Sequence, residues 1–404
     1  MRLLSLFSGG GGMDIGCEGN FTCLKKSINC SQHRDWINKI DGNYVKLKPT
    51  QFDIVFANDI FPSAQKTWYN YFKQYYDNAE DIYVLESIVD LVKKEKSGIP
   101  IFPKNIDIVT GGFPCQDFSV CGKRLGFNSS KSHLGEKITE KANAENRGQL
   151  YIWFKEVVEI TTPKIFIAEN VKGLTNLNDA LEIIKQDFSQ IDNNGYLVFS
   201  QVLKSQEYGV PQSRERLFFI GIRKDALNPI ALTELTKPEI MSEYSPFPCP
   251  THTSSNFVTC QDAFVDLEEP CNSKDPAQQK FSGAKYMGLH CQGQKEIKLD
   301  GLAPTIRSEH HGNIEFRRLS QEHGGLHLQE LNKNLTERRL SVRECARLQT
   351  FPDDYEFILN QRNHSCIVSM NDAYKIIGNA VPPILAYNII KNIENKWEKY
   401  FSIS

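Results

Sequence analysis

Short apolar runs that close on glycine, asparagine or a carboxylate constrain this chain more than any other feature. Arg2 to Phe7 leads into four consecutive glycines, Phe52 to Ala57 ends at Asn58-Asp59, and Ile106 to Thr110 ends at Gly111-Gly112. Lys164 to Ala168 runs into Glu169-Asn170, and Leu217 to Ile222 is a further run of the same kind. Leu150 to Glu159 and Ala180 to Ile191 have helical spacing between them, and strands alternating with helices predict a doubly wound, mostly parallel α/β sheet. Open sheets of this kind assemble their sites at the carboxyl ends of the strands. The punctuating residues are therefore the first candidates for chemistry.

The 404 residues exceed one unit of about 150 residues, and the pattern changes where a second unit is needed. From about 224 to 337 it dissolves into Pro-, Ser-, Gln- and Gly-rich stretches without clear helices, and helical spacing returns at Val342 to Leu348 and Ile384 to Trp397. The expected division is a first domain over 1–223, completed by 372–404, and a smaller irregular domain over 224–371. No apolar stretch approaches the ~20 residues of a membrane span, and the apolar start is shorter than a signal-peptide core, so a cytoplasmic protein is expected. The cysteines number 11, an odd count without a CxxC pair, which excludes a complete disulfide framework and gives no zinc-ribbon spacing. Cys17, Cys23, Cys30 and His33 match no zinc pairing, and no metal is expected. A net charge of −2 means that a nucleic-acid partner must be held by local basic clusters.

Phe7 to Gly16 follows a strand and opens a predicted helix, so its glycines let backbone N–H groups approach a ligand. No register supplies glycine at i, i+2 and i+5, which weakens a nicotinamide assignment. Asp59 is placed to accept from ribose hydroxyls. Gly111 to Ser119 sets Cys115 in a Gly/Pro turn just after a buried strand, with Lys123 and Arg124 close behind. A thiolate in a positive field is a strong nucleophile, whereas a cysteine is more often an inert buried residue. Glu169 ends another strand, where burial raises a carboxyl pKa toward proton donation. Gln212 to Arg216 precedes the strand run from Leu217, and alternation puts Arg214 and Arg216 on the same side.

Together these motifs resemble those of the bacterial DNA (cytosine-5) methyltransferases of restriction–modification systems. The resemblance covers nearly the whole chain in the family's linear order. Its blocks are Phe7 to Gly12, Gly112-Phe113-Pro114-Cys115-Gln116, Arg147 to Leu150, Glu169-Asn170-Val171, Gln212 to Arg216, Arg343 to Gln349, and Gly378 to Pro382. It implies methyl transfer from S-adenosylmethionine to C5 of a cytosine flipped out of double-stranded DNA, with Cys115 adding to C6. Glu169 would act at N3 and Arg216 at O2, with Arg214 in support. For the cofactor it implies Phe7, Gly9, Gly10, Gly12, Asp59, Ile60, Pro114, Leu150, Asn379 and Val381. For DNA it implies Gln116, Ser119, Lys123, Arg124, Thr305, Arg307 and Arg317, with His310, His311 and Arg318 as further candidates. A monomer is expected, with a cognate restriction endonuclease that acts on the same site without a stable complex.

The chain departs from the compact pattern at two insertions, near 19–50 and 128–146, and places Ser87 where an acidic adenine contact is usual. Two alternatives share the scaffold. One is a tRNA cytosine-5 methyltransferase, whose Cys-Phe-Thr tripeptide is missing here; the other is a catalytically silent DNA-binding protein, which has no need of Cys115, Glu169 and Arg216 together.

Overall fold

The computed structural model describes residues 1–113, 150–176, 180–192, 195–308, 313–357 and 368–402. β1 (Arg2–Leu6) and α1 (Gly12–Glu18) lead into β2 (Thr22–Leu24), β3 (Ile37–Asp41) and β4 (Tyr44–Leu47). Then come β5 (Asp53–Asp59), α2 (Pro62–Phe72), α3 (Ala79–Ile82), β6 (Tyr83–Leu85), α4 (Ile88–Lys96) and β7 (Ile108–Gly111). α5 (Leu150–Thr161), β8 (Ile165–Val171), α6 (Ala180–Ser189), β9 (Tyr196–Lys204), β10 (Gln212–Ser213) and β11 (Glu215–Arg223) complete this part.

Seven of these strands form one sheet in the order β6-β5-β1-β7-β8-β11-β9. β6, β5, β1, β7 and β8 run parallel, and β11 pairs antiparallel with both β8 and β9. Successive residues of a strand face opposite sides, and here both sides are buried. Leu3, Ile54, Ile108, Ile165 and Ile167 join α1, α2 and α13 (Pro383–Phe401) in one core. Leu4, Leu6, Val109, Phe166 and Ala168 join α4, α5 and α6 in the other. Continuous apolar strands are what a doubly covered parallel sheet requires. α4 begins where the Ser87 hydroxyl accepts from Val89 N–H, a cap that fixes the turn after β6.

The insertion after α1 folds as a small antiparallel sheet in the order β2-β4-β3. Asn29 donates to Thr251 O at 2.8 Å, Tyr44 to Asp266 at 2.8 Å, and Lys26 pairs with Asp262 at 2.5 Å, so it is tied to the irregular stretch. That stretch does contain helices, contrary to the sequence expectation. α7 (Pro229–Leu235), α8 (Cys260–Ala263), α9 (Pro276–Gln279) and α10 (Leu328–Leu331) are present. Each spans two turns or fewer, too short to show a helical period. β12 (Ala303–Pro304), β13 (Phe316–Arg318) and β14 (Arg338–Arg339) are equally brief.

Buried charge holds this part together. Arg318 bonds Glu269 and Glu330 at 2.7 Å each, and Arg338 bonds both oxygens of Glu344 at 2.8 Å. α11 (Val342–Leu348) starts with a reciprocal cap between Ser341 and Glu344. Beyond it, Tyr355 donates to Gly10 O, and its ring lies 5.1 Å from that of Tyr71. Residues just past α11 therefore back the glycine loop, as does α12 (Met370–Asn379), whose Ile376 lies against Gly10 and whose Asp372 accepts from Ser63 of α2 at 2.8 Å. Among the described residues, no helix is long and apolar enough to cross a membrane, and no group of three or more His, Cys, Asp or Glu side chains is arranged to hold a metal.

Candidate active site

Strand register creates the site. Leu6 pairs with Asn58 on one side and Gly111 on the other, and Gly111 pairs with Ala168. The next residue of each strand or loop, Asp59, Phe7, Gly112 and Glu169, therefore opens at one edge. These four line a cavity of about 950 Å³. It lies at the switch point between β1 and β7, where strand order reverses and open sheets bind ligands.

At one end the cavity is lined by Phe7, Gly9, Gly10 and Gly12, by Asp59 and Ile60 at the end of β5, and by Asn379 and Val381. The Gly9 N–H donates to Asp59 Oδ2 at 3.0 Å, and the Ile60 and Phe61 N–H groups donate to Oδ1 at 2.7 and 3.0 Å. Burial raises the Asp59 pKa, while these amides and the charge of Lys375 pull it down. Gly9 sits at φ +52 with nothing within 4 Å of the place a Cβ would occupy. The loop thus presents bare backbone to an open cradle. Behind it, Asp14 accepts from the Ser5 hydroxyl at 2.6 Å and from Trp68 Nε1 at 2.7 Å. Desolvation raises its pKa to about 6.

At the other end the antiparallel course of β11 matters. Phe218 pairs with Glu169 and Arg216 with Val171, so Arg216 and Glu169 are diagonal neighbours on one face. Arg216 Nε lies 3.1 Å from Glu169 Oε1. Burial pushes the Glu169 pKa up against the opposing pull of Arg216 and Arg214. A Cβ on Gly112 would stand 2.9 Å from Glu169 Oε2, so glycine there gives the carboxylate its room. Lys172 and Glu215, paired at 2.7 Å, stand at the rim.

Arg214 is 1% exposed. It donates to Ile306 O at 3.1 Å, Gly378 O at 3.1 Å and Ala380 O at 2.9 Å. It therefore joins the sheet to the irregular stretch and to the end of α12. Thr305 donates to Ser213 O at 2.8 Å, and Arg307, held by Gln292, Asn313 O and Glu315, lines the same cavity.

The structure thus gathers Phe7, Gly9, Gly10, Gly12, Asp59, Ile60, Leu150, Glu169, Arg214, Arg216, Thr305, Arg307, Asn379 and Val381 around one cavity. Two arginines are placed elsewhere. Arg317 is engaged by Glu330 at 2.9 Å, and Arg318 is fully buried among carboxylates, so neither stands free for a phosphate. Pro114, Cys115, Gln116, Ser119, Lys123, Arg124, His310 and His311 lie outside the described residues. Gln292 and Lys375 also line the cavity and Asp14 backs its glycine loop, and the sequence singles out none of the three. Asp14 has the signature of an ordinary acidic residue in a first helical turn, and only Lys375, one turn before Asn379, had a positional cue.

The family model for C-5 cytosine-specific DNA methylases matches residues 1–395. Type II methyltransferase M.BspRI of Lysinibacillus sphaericus is 31% identical over 97% of this chain and 81% of its own length. M.BsuRI of Bacillus subtilis is 29% identical over 98% of this chain and 79% of its own. In fold, the chain is similar to the Dnmt2 methyltransferase of S. pombe, with a TM-score of 0.55 at 18% identity over 98% of this chain and 99% of that one. The methyltransferase EhMeth of Entamoeba histolytica gives 0.57 at 13% identity, covering 98% of both chains. With a family match across nearly all its length, this chain belongs to the C-5 cytosine-specific DNA methylases.

Proposed function

We propose that this protein methylates C5 of a cytosine flipped out of a specific duplex DNA sequence, using S-adenosylmethionine and a covalent link from Cys115 to C6. The observation that carries the reading is the Glu169–Arg216 pair at the end of β8. It faces the cavity beside Gly112, two residues before the Pro-Cys dipeptide. The open cradle at Gly9, the Asp59 carboxylate and the size of the cavity suit a nucleoside bearing an amino-acid tail. When bound, the cofactor supplies an electrophilic methyl group on a sulfonium.

Cytosine C5 is a poor nucleophile until something adds at C6. Cys115 forms that bond and makes C5 an enamine carbon. Negative charge then develops toward N3 and O2; Glu169 meets it with a proton or hydrogen bond at N3, and Arg216 meets it at O2. After C5 is methylated, its proton leaves to a base, the C5–C6 double bond re-forms and the Cys115 thiolate is expelled. Arg214 touches backbone carbonyls rather than the cavity's centre, so its part is to hold Arg216, residue 306 and residues 378–380 in one arrangement. A base buried in a duplex cannot reach these groups, hence the extrusion.

Phe7, Gly9, Gly10, Gly12, Asp59, Ile60, Leu150, Asn379 and Val381 form the cofactor end, and the family resemblance adds Pro114 to the cofactor contacts. The stretch 224–371 serves target recognition; Thr305 and Arg307, which line the cavity, contact DNA, and the family resemblance gives the same role to Gln116, Ser119, Lys123 and Arg124. The type II relatives support a modification enzyme of a restriction–modification system; a cytoplasmic monomer working alongside an endonuclease for the same site belongs to the same proposal. Bisulfite sequencing of DNA from cells expressing the protein should show protected cytosines in one short sequence context. Unprotected cytosines throughout, with folded protein present, would refute the assignment.

A further inference from the structure

The cofactor end of the cavity holds a charged side chain to which the proposed chemistry gives no part. Lys375, on α12, lines the cavity beside Ile376, as do Asp59, Ile60 and Phe61. Its ammonium lies 4.0 Å from the centroid of the Phe61 ring. One helical turn earlier, Asp372 accepts from Ser63 at 2.8 Å. Positions i and i+3 share a helix face, so α12 grips the start of α2 at two points, one by hydrogen bond and one through the Phe61 ring. Phe61 is also the residue whose N–H holds Asp59 Oδ1. The contact therefore acts on the turn that aims the carboxylate.

We propose that Lys375 is a positioning residue for the nucleoside end of the cavity: seated on the Phe61 ring, it pins the 59–61 turn so that Asp59 meets ribose hydroxyls in a fixed orientation. This rests on the S-adenosylmethionine reading of the cavity and adds a residue to it. A cation over an aromatic face is attracted by the ring quadrupole, the more so as it is desolvated.

Electrostatics points the same way. The groups that face Asp59 are the N–H donors of Gly9, Ile60 and Phe61, the Tyr83 phenol from β6, which donates to Gly9 O at 3.0 Å, and Lys375 from α12. Lys375 is the one cation named among these described neighbours. Burial works to neutralise Asp59, and Lys375 opposes it. Without that charge, Asp59 takes up its proton at a higher pH, and a neutral carboxyl accepts hydrogen bonds weakly.

The test is equilibrium binding of S-adenosylmethionine and of adenosine alone to the full-length protein across pH, for wild type, Lys375→Met, Lys375→Arg and Phe61→Leu. Lys375→Met should weaken both ligands by about fivefold. The acid-side loss of binding should move to higher pH, Lys375→Arg should restore most of the affinity, and Phe61→Leu should fall between. Unchanged thermal midpoints separate this from a folding defect. Should Lys375→Met bind adenosine as wild type does, with the same pH profile, the proposal is wrong. A wild-type protein that binds neither ligand would overturn the cofactor reading, and the role of Lys375 with it.

Discussion

The strand-end cavity and the stretch from 224 to 357 are built on opposite rules. In the first, hydrogen-bonded register places Asp59, Phe7, Gly112 and Glu169 side by side, and two apolar cores hold the strands from either face. In the second, regular elements are a few residues long, and Arg318, Arg338, Glu269 and Glu344 do much of the holding. A register fixes positions to within a fraction of an ångström and suits chemistry on one invariant ring. Irregular loops on an ionic scaffold can change their exposed residues while the buried pairs stay, which suits recognition of a variable sequence. The boundary between the two is stitched by Arg214 and by Thr305, both bonded across it through backbone carbonyls.

If that contrast holds, damage in the two regions should have separable consequences. The largest effect on turnover belongs to Glu169→Gln, which keeps the shape and removes the exchangeable acid. Turnover should fall by about 10² to 10³, the scale of a general acid or of one donor to developing charge, while cofactor binding stays near wild type. Steady-state methylation and cofactor titration separate these, and a loss confined to KM would place Glu169 in simple binding. Next is Arg338→Met, which strands the buried Glu344 carboxylate. Breaking such a pair costs about 3–5 kcal/mol, read by urea unfolding. DNA binding should fail first and cofactor binding survive; equal loss of both would erase the proposed division.

The smallest effect concerns pH. Asp14 titrates near 6 when folded, against an ordinary value of 3.8. Between those values the folded state binds more protons than the unfolded one, so this group's contribution to stability declines as pH rises from about 4 to 6 and is level above. Asp14→Asn should flatten that slope. Thermal midpoints measured at intervals across the window check it, and an unchanged slope would mean that Asp14 is not the group responsible.

Much of the catalytic half is legible because its signals are local. β5, β7, β8 and β11 lie on apolar runs, α5, α11 and α13 on helical periods, and the proposed functional residues stand at or near their ends. The Glu169–Arg216 contact follows once β11 is known to be antiparallel, but nothing in composition reveals its direction. Asp14 is hidden because a first-turn carboxylate is common on exposed helices, and here it is buried behind the loop. The arginines at 317 and 318 mislead for the complementary reason: charged residues in a loop-rich stretch signal surface, and their carboxylate partners at 269 and 330 are distant in sequence. The helices between 229 and 331 are too short for a period to register.

The central claim is that catalysis passes through a bond between Cys115 and the target base. A duplex carrying the recognition site with 5-fluorocytosine at the target blocks loss of the C5 substituent and should arrest the reaction at that stage. Incubation with S-adenosylmethionine should give a protein–DNA adduct that survives denaturing electrophoresis and maps to Cys115 by peptide mass, with none formed by Cys115→Ser. Efficient methylation of the normal site without any trapped species on the fluorinated one, or turnover by Cys115→Ser, would contradict the account.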